Sequence, residues 1–212
     1  MATLPAATLQ RAAELGVSTI YEAHGRTGLL NLPLTPLLSG RRVAGPARTA
    51  ACGQGDNRAV HEVMAHVEPG DVLVLAMPEE APIALVGDLL ITQAQRQGAV
   101  AVVLNGASRD VAELRAMGLP IWTRFVRSAG ATKDIRGAVN VPVGLGGTTV
   151  SPGDLVVLDD DGVMAVPHAE IDDALASASQ REEREAGLRE RFLAGEISYD
   201  THGMREQDEG RG

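Results

Sequence analysis

Apolar positions recur at helical spacing in some segments and run together in short uninterrupted stretches in others, and the switches between them mark out the elements. Leu9, Ala12, Ala13, Leu15 and Ile20 recur at helical spacing and predict a helix over 7–24. Gly and Pro then punctuate 25–46, which reads as turns with a short strand. "GDNRAVHEVMAHV" predicts a helix capped by Asp56 or Asn57, and "EPGDVLVLAM" a Pro-Gly turn feeding a buried strand near 72–76. A second apolar stretch near 82–86 precedes "GDLLITQAQRQG", a helix with Asp88 at its start and Gly98 past its end. "AVAVVL" is a strand that ends in an Asn105-Gly106 turn, "DVAELRAMG" a helix and "LPIWTRFV" another strand. The Pro-Gly-Asp phrase returns in "SPGDLVVLDDDGVMAVP" at 151–167, where two strands flank a "DDDG" turn. From His168 a charged, alanine-rich helix runs to about Gly195, followed by a polar tail. Its stripe is Ile171, Leu175, Ala178, Glu182, Glu185, Arg189 and Phe192, so acids occupy positions where a packing helix keeps apolar residues.

The middle of this order is βαβα, which predicts an α/β fold with parallel strands and right-handed crossovers. In such units the loops that follow the strands emerge at one edge, and ligands bind there. Asp88 follows one strand and Arg109–Asp110 the next, so the three are expected to meet. Gly87 admits close backbone approach, and the amides of Leu89 and Leu90 lie in a first helical turn, suited to a carboxylate. Arg109 offers a fork for a carboxylate or a developing enolate. Asp110 offers hard oxygen to a divalent cation, with Asp88 placed to hold that cation's waters, a magnesium habit.

Composition narrows the alternatives. At 212 residues and 44% hydrophobic, the chain suits one compact domain with an appended arm. A net charge of −9 without a basic run argues against nucleic acid as a partner. No apolar stretch approaches the about 20 residues of a membrane span. "MATLPAATLQ" lacks the charged leader and apolar core of an export signal. Cys52 is the only cysteine, which points to a reducing cytoplasm and a packed thiol. Lys133 is the only lysine beside 18 arginines, so a Schiff-base mechanism has one candidate amine. Other motifs fail on spacing: His61 and His66 in "HEVMAH" miss the i, i+4 pairing of a zinc helix, and "GLGGT" leads into a turn and strand. "DDDG" lacks the alternation of a calcium loop, and no G-x-S-x-G elbow occurs. His24, His168 and His202 have no partner spacing and read as structural or exposed.

"GDLL" at 87–90 followed by "NGASRD" at 105–110 resembles the signature of the class II pyruvate aldolases acting on 4-hydroxy-4-methyl-2-oxoglutarate and 4-carboxy-4-hydroxy-2-oxoadipate. That fold family also contains the regulator of ribonuclease activity A. The likeness extends to "YEAHGRTGLL", "AGPARTA", "GDN" with His61, "TKDIRGAVNVPV" and "REEREAGLRERFLAGE". It implies a layered β/β/α core over 1–167, with a helix and tail over 168–212 packing on a neighbouring subunit of a homotrimer or hexamer. It also implies Mg²⁺ or Mn²⁺ bound directly by Asp110, and through water by Asp88 and by Glu185 of the adjacent copy. Arg109 would stabilise the pyruvate enolate while the Leu89 and Leu90 amides hold the carboxylate. The implied activity is metal-dependent aldol cleavage to pyruvate, with oxaloacetate decarboxylation through the same enolate. The alternative is a non-catalytic ribonuclease-binding regulator, although the regulators are shorter and lack the long acidic helix. Asn105 stands where the enzymes usually carry an acid and the regulators an Asn, and "GLGGT" replaces a cysteine-containing stretch. The loops at 54–58 and 123–134 are expected to meet the substrate's second carboxylate.

Overall fold

The structure, a computed structural model, describes residues 4–210. Residues 1–3 and 211–212 of the two expected units lie outside it. Four strands form the parallel centre: β2 (Val43–Ala51), β3 (Val72–Ala76), β5 (Ala101–Ser108) and β6 (Ile121–Val126), with β4 (Ala84–Val86) also parallel to β5. The short β1 (Thr35–Pro36) pairs with β6 and β7 (Ala138–Val139) with β2, both antiparallel. A separate hairpin joins β8 (Val143–Leu145) to β9 (Thr148–Val150). The "DDDG" hairpin is β10 (Leu155–Asp159) and β11 (Gly162–Val166), and β10 docks antiparallel on β2. The main order is β1-β6-β5-β3-β2-β10-β11. The helices are α1 (Ala6–Ala23), α2 (Arg58–Val63), α3 (Asp88–Gln97), α4 (Val111–Met117), α5 (Ile171–Leu193), α6 (Ser198–Thr201) and α7 (Met204–Glu209).

Strand alternation explains how this sheet curls around a core of its own. Val72, Val74 and Ala76 of β3 face an inner cluster with Val103, Trp122, Val156 and Leu158. Their neighbours Leu73 and Leu75 face outward, under Val60 and Val63 of α2, Ile91 of α3 and Leu114 of α4. In β10 the same alternation sends Val156 and Leu158 inward, and Leu155 and Val157 outward against Leu15 and Ile20 of α1 and Ile171 and Leu175 of α5. A period of two therefore feeds two opposite faces, both apolar, as a sheet covered on both sides requires.

Two sequence expectations need correction. The stretch 25–46 does contain the short strand β1, but Val43–Pro46 opens β2, a nine-residue strand at the centre of the sheet. Gly45 and Pro46 read as a break, yet pairing decides: Val43–Pro46 match β10, and Ala47–Ala51 match β3. Gly45 is needed there, since a Cβ would stand 2.3 Å from the Gly70 carbonyl oxygen. The Asn105-Gly106 turn is also absent, because both residues lie inside β5. Asn105 is buried, and its amide accepts from Met77 N and donates to Met77 O, both at 2.8 Å. It thus extends the β3–β5 pairing by a side-chain rung, while a register shift between Leu104 and Ala107 on the β6 side absorbs the irregularity.

The repeated phrase builds one turn twice. Asp71 N donates to Glu68 O and Asp154 N to Ser151 O, both at 3.1 Å. In each turn the Asp carboxylate takes the amide three residues back, at 2.8 and 2.7 Å. Gly70 and Gly153 supply the positive φ (96° and 89°) that such a turn demands.

Candidate active site at the ends of β4 and β5

Parallel pairing of β4 and β5 sets Val86 opposite Ser108, so the residues that follow, Gly87–Asp88 and Arg109–Asp110, leave the sheet side by side. Arg109 N donates to Val86 O at 3.1 Å, and Asp88 N to Asp110 Oδ2 at 3.2 Å. The expected convergence of Asp88, Arg109 and Asp110 is present. Gly87 is the cap of α3, and Asp88 is its first residue rather than its cap. Gly87 matters for space: a Cβ there would stand 2.4 Å from Asp110 Oδ2 and 3.1 Å from Arg109 Nε.

Asp110 caps α4 from the left-handed region, with φ 56° and ψ 42°. Few residues other than glycine sit there, Asp and Asn most readily, and such backbone strain concentrates at functional sites. Arg109 Nε lies 3.5 Å from Asp110 Oδ2, with the side chains 49% and 35% exposed. Neither charge is used up by the other. Asp88 Oδ1 accepts from Leu89 N at 2.8 Å, so this carboxylate already covers the amide that the sequence offers to a substrate. Leu90 lies in the same first turn, and Leu89 projects into solvent, 79% exposed.

Beside this edge lies a cleft of about 160 Å³. Asp88, Leu89, Leu90 and Arg109 form one side, Asn57 and His61 of the α2 region another, and Gly130, Ala131 and Lys133 a third. Of the two loops expected to meet a second carboxylate, each contributes: Asn57 from one and Lys133 from the other. The sequence assigns none of Asn57, His61 and Lys133 to the cleft by name, although Asn57 and Lys133 fall in those two loops. The available signal was "GDN", in which Asp56 locks the two walls together. Its buried carboxylate accepts from Thr132 Oγ1 and Asp134 N, each at 2.6 Å, from Ile135 N at 3.1 Å and from Arg58 N at 2.8 Å. Burial acts to raise the Asp56 pKa, but these four donors outweigh it and hold the carboxyl at about 2. Asn57 holds the cap position of α2 without a side-chain cap bond. Burial, and then the charge of Lys133, push the His61 imidazole below its ordinary pKa and favour its neutral form. Burial, then Asp56, push the Cys52 thiol up to about 12, as befits a packed residue.

Asp88 and Asp110 bring two hard-oxygen donors together, which fits a small divalent cation that keeps most of its waters. Among the described residues no group of three or more His, Cys, Asp or Glu is assembled to hold a metal ion. Glu185 is elsewhere in this chain: it pairs with Arg181 at 2.8 Å on α5, which packs against α1. His24 pairs with Glu170 at 3.2 Å, while His168 N donates to Asp154 at 3.0 Å and His202 contacts Ser198. No described helix is long and apolar enough to cross a membrane.

Residues 17–165 match the model of the RraA-like family described as Aldolase/RraA. A protein of Halalkalibacterium halodurans named "Putative 4-hydroxy-4-methyl-2-oxoglutarate aldolase" is 36% identical over 173 residues, 79% of this chain and 82% of the relative. Among solved structures, Streptomyces coelicolor RraAS2, described as an unusual member of the RNase ES inhibitor RraA protein family, superposes with a TM-score of 0.79 at 30% identity. That match covers 89% of this chain and 98% of that one. The RNA-processing inhibitor RraA from Thermus thermophilis gives 0.64 at 28%, over 71% and 91%.

Proposed function

The chain belongs to the RraA-like family, Aldolase/RraA, and on that footing we propose that it is a divalent-metal-dependent aldolase. It cleaves a 4-hydroxy-2-oxo acid of the 4-hydroxy-4-methyl-2-oxoglutarate or 4-carboxy-4-hydroxy-2-oxoadipate type to pyruvate and a second oxo acid, and decarboxylates oxaloacetate. The observation that carries this reading is the meeting of Asp88, Arg109 and Asp110 where β4 and β5 end, beside a cleft of about 160 Å³.

Mg²⁺ or Mn²⁺, held directly by Asp110 and through water by Asp88 and Glu185, would supply a Lewis acid for the 2-oxo group. Glu185 would come from the C-terminal arm of an adjacent copy in a homotrimer or hexamer. The chain's own groups do the rest. The substrate C1 carboxylate takes the Leu89 and Leu90 amides at the α3 N-terminus, which requires Asp88 to release Leu89 N. That release frees the Asp88 carboxylate to hold the water that removes the 4-hydroxyl proton. As the C3–C4 bond breaks, C4 becomes an oxo carbon and the electron pair collects on the C2 oxygen, opposite the Arg109 guanidinium. Proton return to C3 completes pyruvate. Lys133, which lines the same cleft, would take the substrate's distal carboxylate.

The test is pyruvate release from both aldol substrates and oxaloacetate, with Mg²⁺ and with EDTA. Release that stops with EDTA is expected. No turnover with any divalent metal, together with a co-purifying ribonuclease, would instead favour the non-catalytic regulator.

A further inference from the structure

We propose that Asn57 reads a hydroxyl group: its Oδ1 accepts a hydrogen bond from a hydroxyl on the acid bound in the cleft. The inference rests on the aldolase reading of the same cleft and adds to it a determinant of substrate choice.

Asn57 is 8% exposed, and its other polar groups are engaged. Its backbone N donates to Thr132 O at 3.0 Å, and its carbonyl accepts from Val60 N at 3.0 Å and His61 N at 3.2 Å. Nδ2 donates to Leu85 O at 3.0 Å. A carbonyl can only accept, so this bond fixes which way the amide faces and leaves Oδ1 on the opposite side. Oδ1 is buried and has no protein donor. Such an acceptor is costly to leave unmatched, which makes it a selective element once a ligand carries the donor. Two other buried side-chain atoms lack a partner among the described residues, Ser108 Oγ and Arg181 Nε, but neither residue lines the cleft.

The surrounding groups define the rest of the ligand. Arg109, Lys133 and the first turn of α3 all call for anionic oxygens, whereas Asn57 Oδ1 calls for a donor. A hydroxylated carboxylic acid meets both demands. An acid with a carbonyl or methylene at that carbon meets only the first; in the bound acid the 4-hydroxyl directs its one proton to Asn57 Oδ1, and it turns that proton to the water held by Asp88 when cleavage begins.

The test uses the full chain with Mg²⁺ and two acids that differ in one group, 2,4-dihydroxyglutarate and 2-hydroxyglutarate. Carbon 2 is reduced in both, so neither can undergo aldol cleavage, and affinity is read by titration calorimetry. The wild-type protein should prefer the dihydroxy acid by about ten- to a hundredfold. Asn57→Ala should bring the two affinities within about threefold, whereas Asn57→Asp, which keeps an acceptor oxygen, should retain a preference. Equal or undetectable binding of both acids by the wild type overturns the proposal, as does a full preference in Asn57→Ala. The wild-type comparison and Asn57→Asp decide the matter if Asn57→Ala does not fold. Pyruvate release without a hydroxyl preference defeats this inference alone. A hydroxyl preference without pyruvate release defeats the aldolase reading and leaves Asn57's role standing.

Discussion

Two arginine–aspartate pairs sit on the same sheet and have opposite fates. Arg48 lies on β2 near the start of the parallel strands. Its Nε is 2.7 Å from Asp71 and its second arm 3.0 Å from Glu68, with the Arg48 and Asp71 side chains 5% and 4% exposed. Arg109 and Asp110 lie at the opposite ends of those strands, 3.5 Å apart and half open to solvent. The first pair is saturated by its own fold and holds a turn against a strand. The second is a looser pair, in which the same Asp110 Oδ2 also accepts from Asp88 N and the rest of both charged groups stays open to solvent. Charge identity alone does not separate structure from chemistry; the number of donors left unengaged does.

Removing the charge of Asp110 should have the largest effect. Asp110→Asn tolerates the same backbone region, yet pyruvate release should fall by about a thousandfold with the unfolding midpoint nearly unchanged. A drop of less than tenfold would remove Asp110 from the chemistry. The buried pair should respond the other way. Arg48→Met leaves Asp71 and Glu68 without their partner and should cost about 3–5 kcal/mol in urea unfolding, while turnover per folded molecule persists. Arg109→Met should move stability by less than about 1 kcal/mol. Equal losses for the two arginines would erase the distinction between the pairs.

Gly87→Ala sharpens it further. The new Cβ must displace the Asp110 carboxylate, and turnover should fall by about a hundredfold with Arg109 and Asp110 both intact. Normal activity would mean that the carboxylate can shift freely. The smallest effect is a pH dependence. The Asp56 carboxyl is lowered from 3.8 to about 2, so its ionised form stabilises the native state above the ordinary value. That contribution disappears as pH falls from 3.8 toward 2. The gap in thermal midpoint between wild type and Asp56→Asn should therefore narrow over that window, and a constant gap would assign the bonds to Asp56 irrespective of charge.

Much of this arrangement was legible in the sequence. The short apolar stretches of β3, β5, β10 and β11, the turn residues of both Pro-Gly-Asp phrases and the βαβα order led to an α/β sheet. They also led to one edge where Asp88 meets Arg109 and Asp110. The strand β2 was hidden because Gly45 and Pro46 carry a local turn signal that their pairing with β10, continued by Ala47–Ala51 on β3, overrides. Asn105 was misread for a similar reason, since an Asn-Gly pair favours a turn until a buried backbone is there to clasp. Asn57 and Lys133 lie in loops the sequence pointed to, but it could not say which side chains face the cleft: that is set by Asp56, which ties Thr132, Asp134 and Ile135 to the start of α2.

The sequence by itself determined most of the elements, the edge and the residue types that can act there, because periodicity and turn chemistry are local properties of the chain. Only the tertiary structure decided which charges are spent and which are offered. That depends on burial and on hydrogen bonds between distant segments: Asp71 in reach of Arg48, Asp88 N in reach of Asp110, and an Asn57 oxygen with no donor in reach.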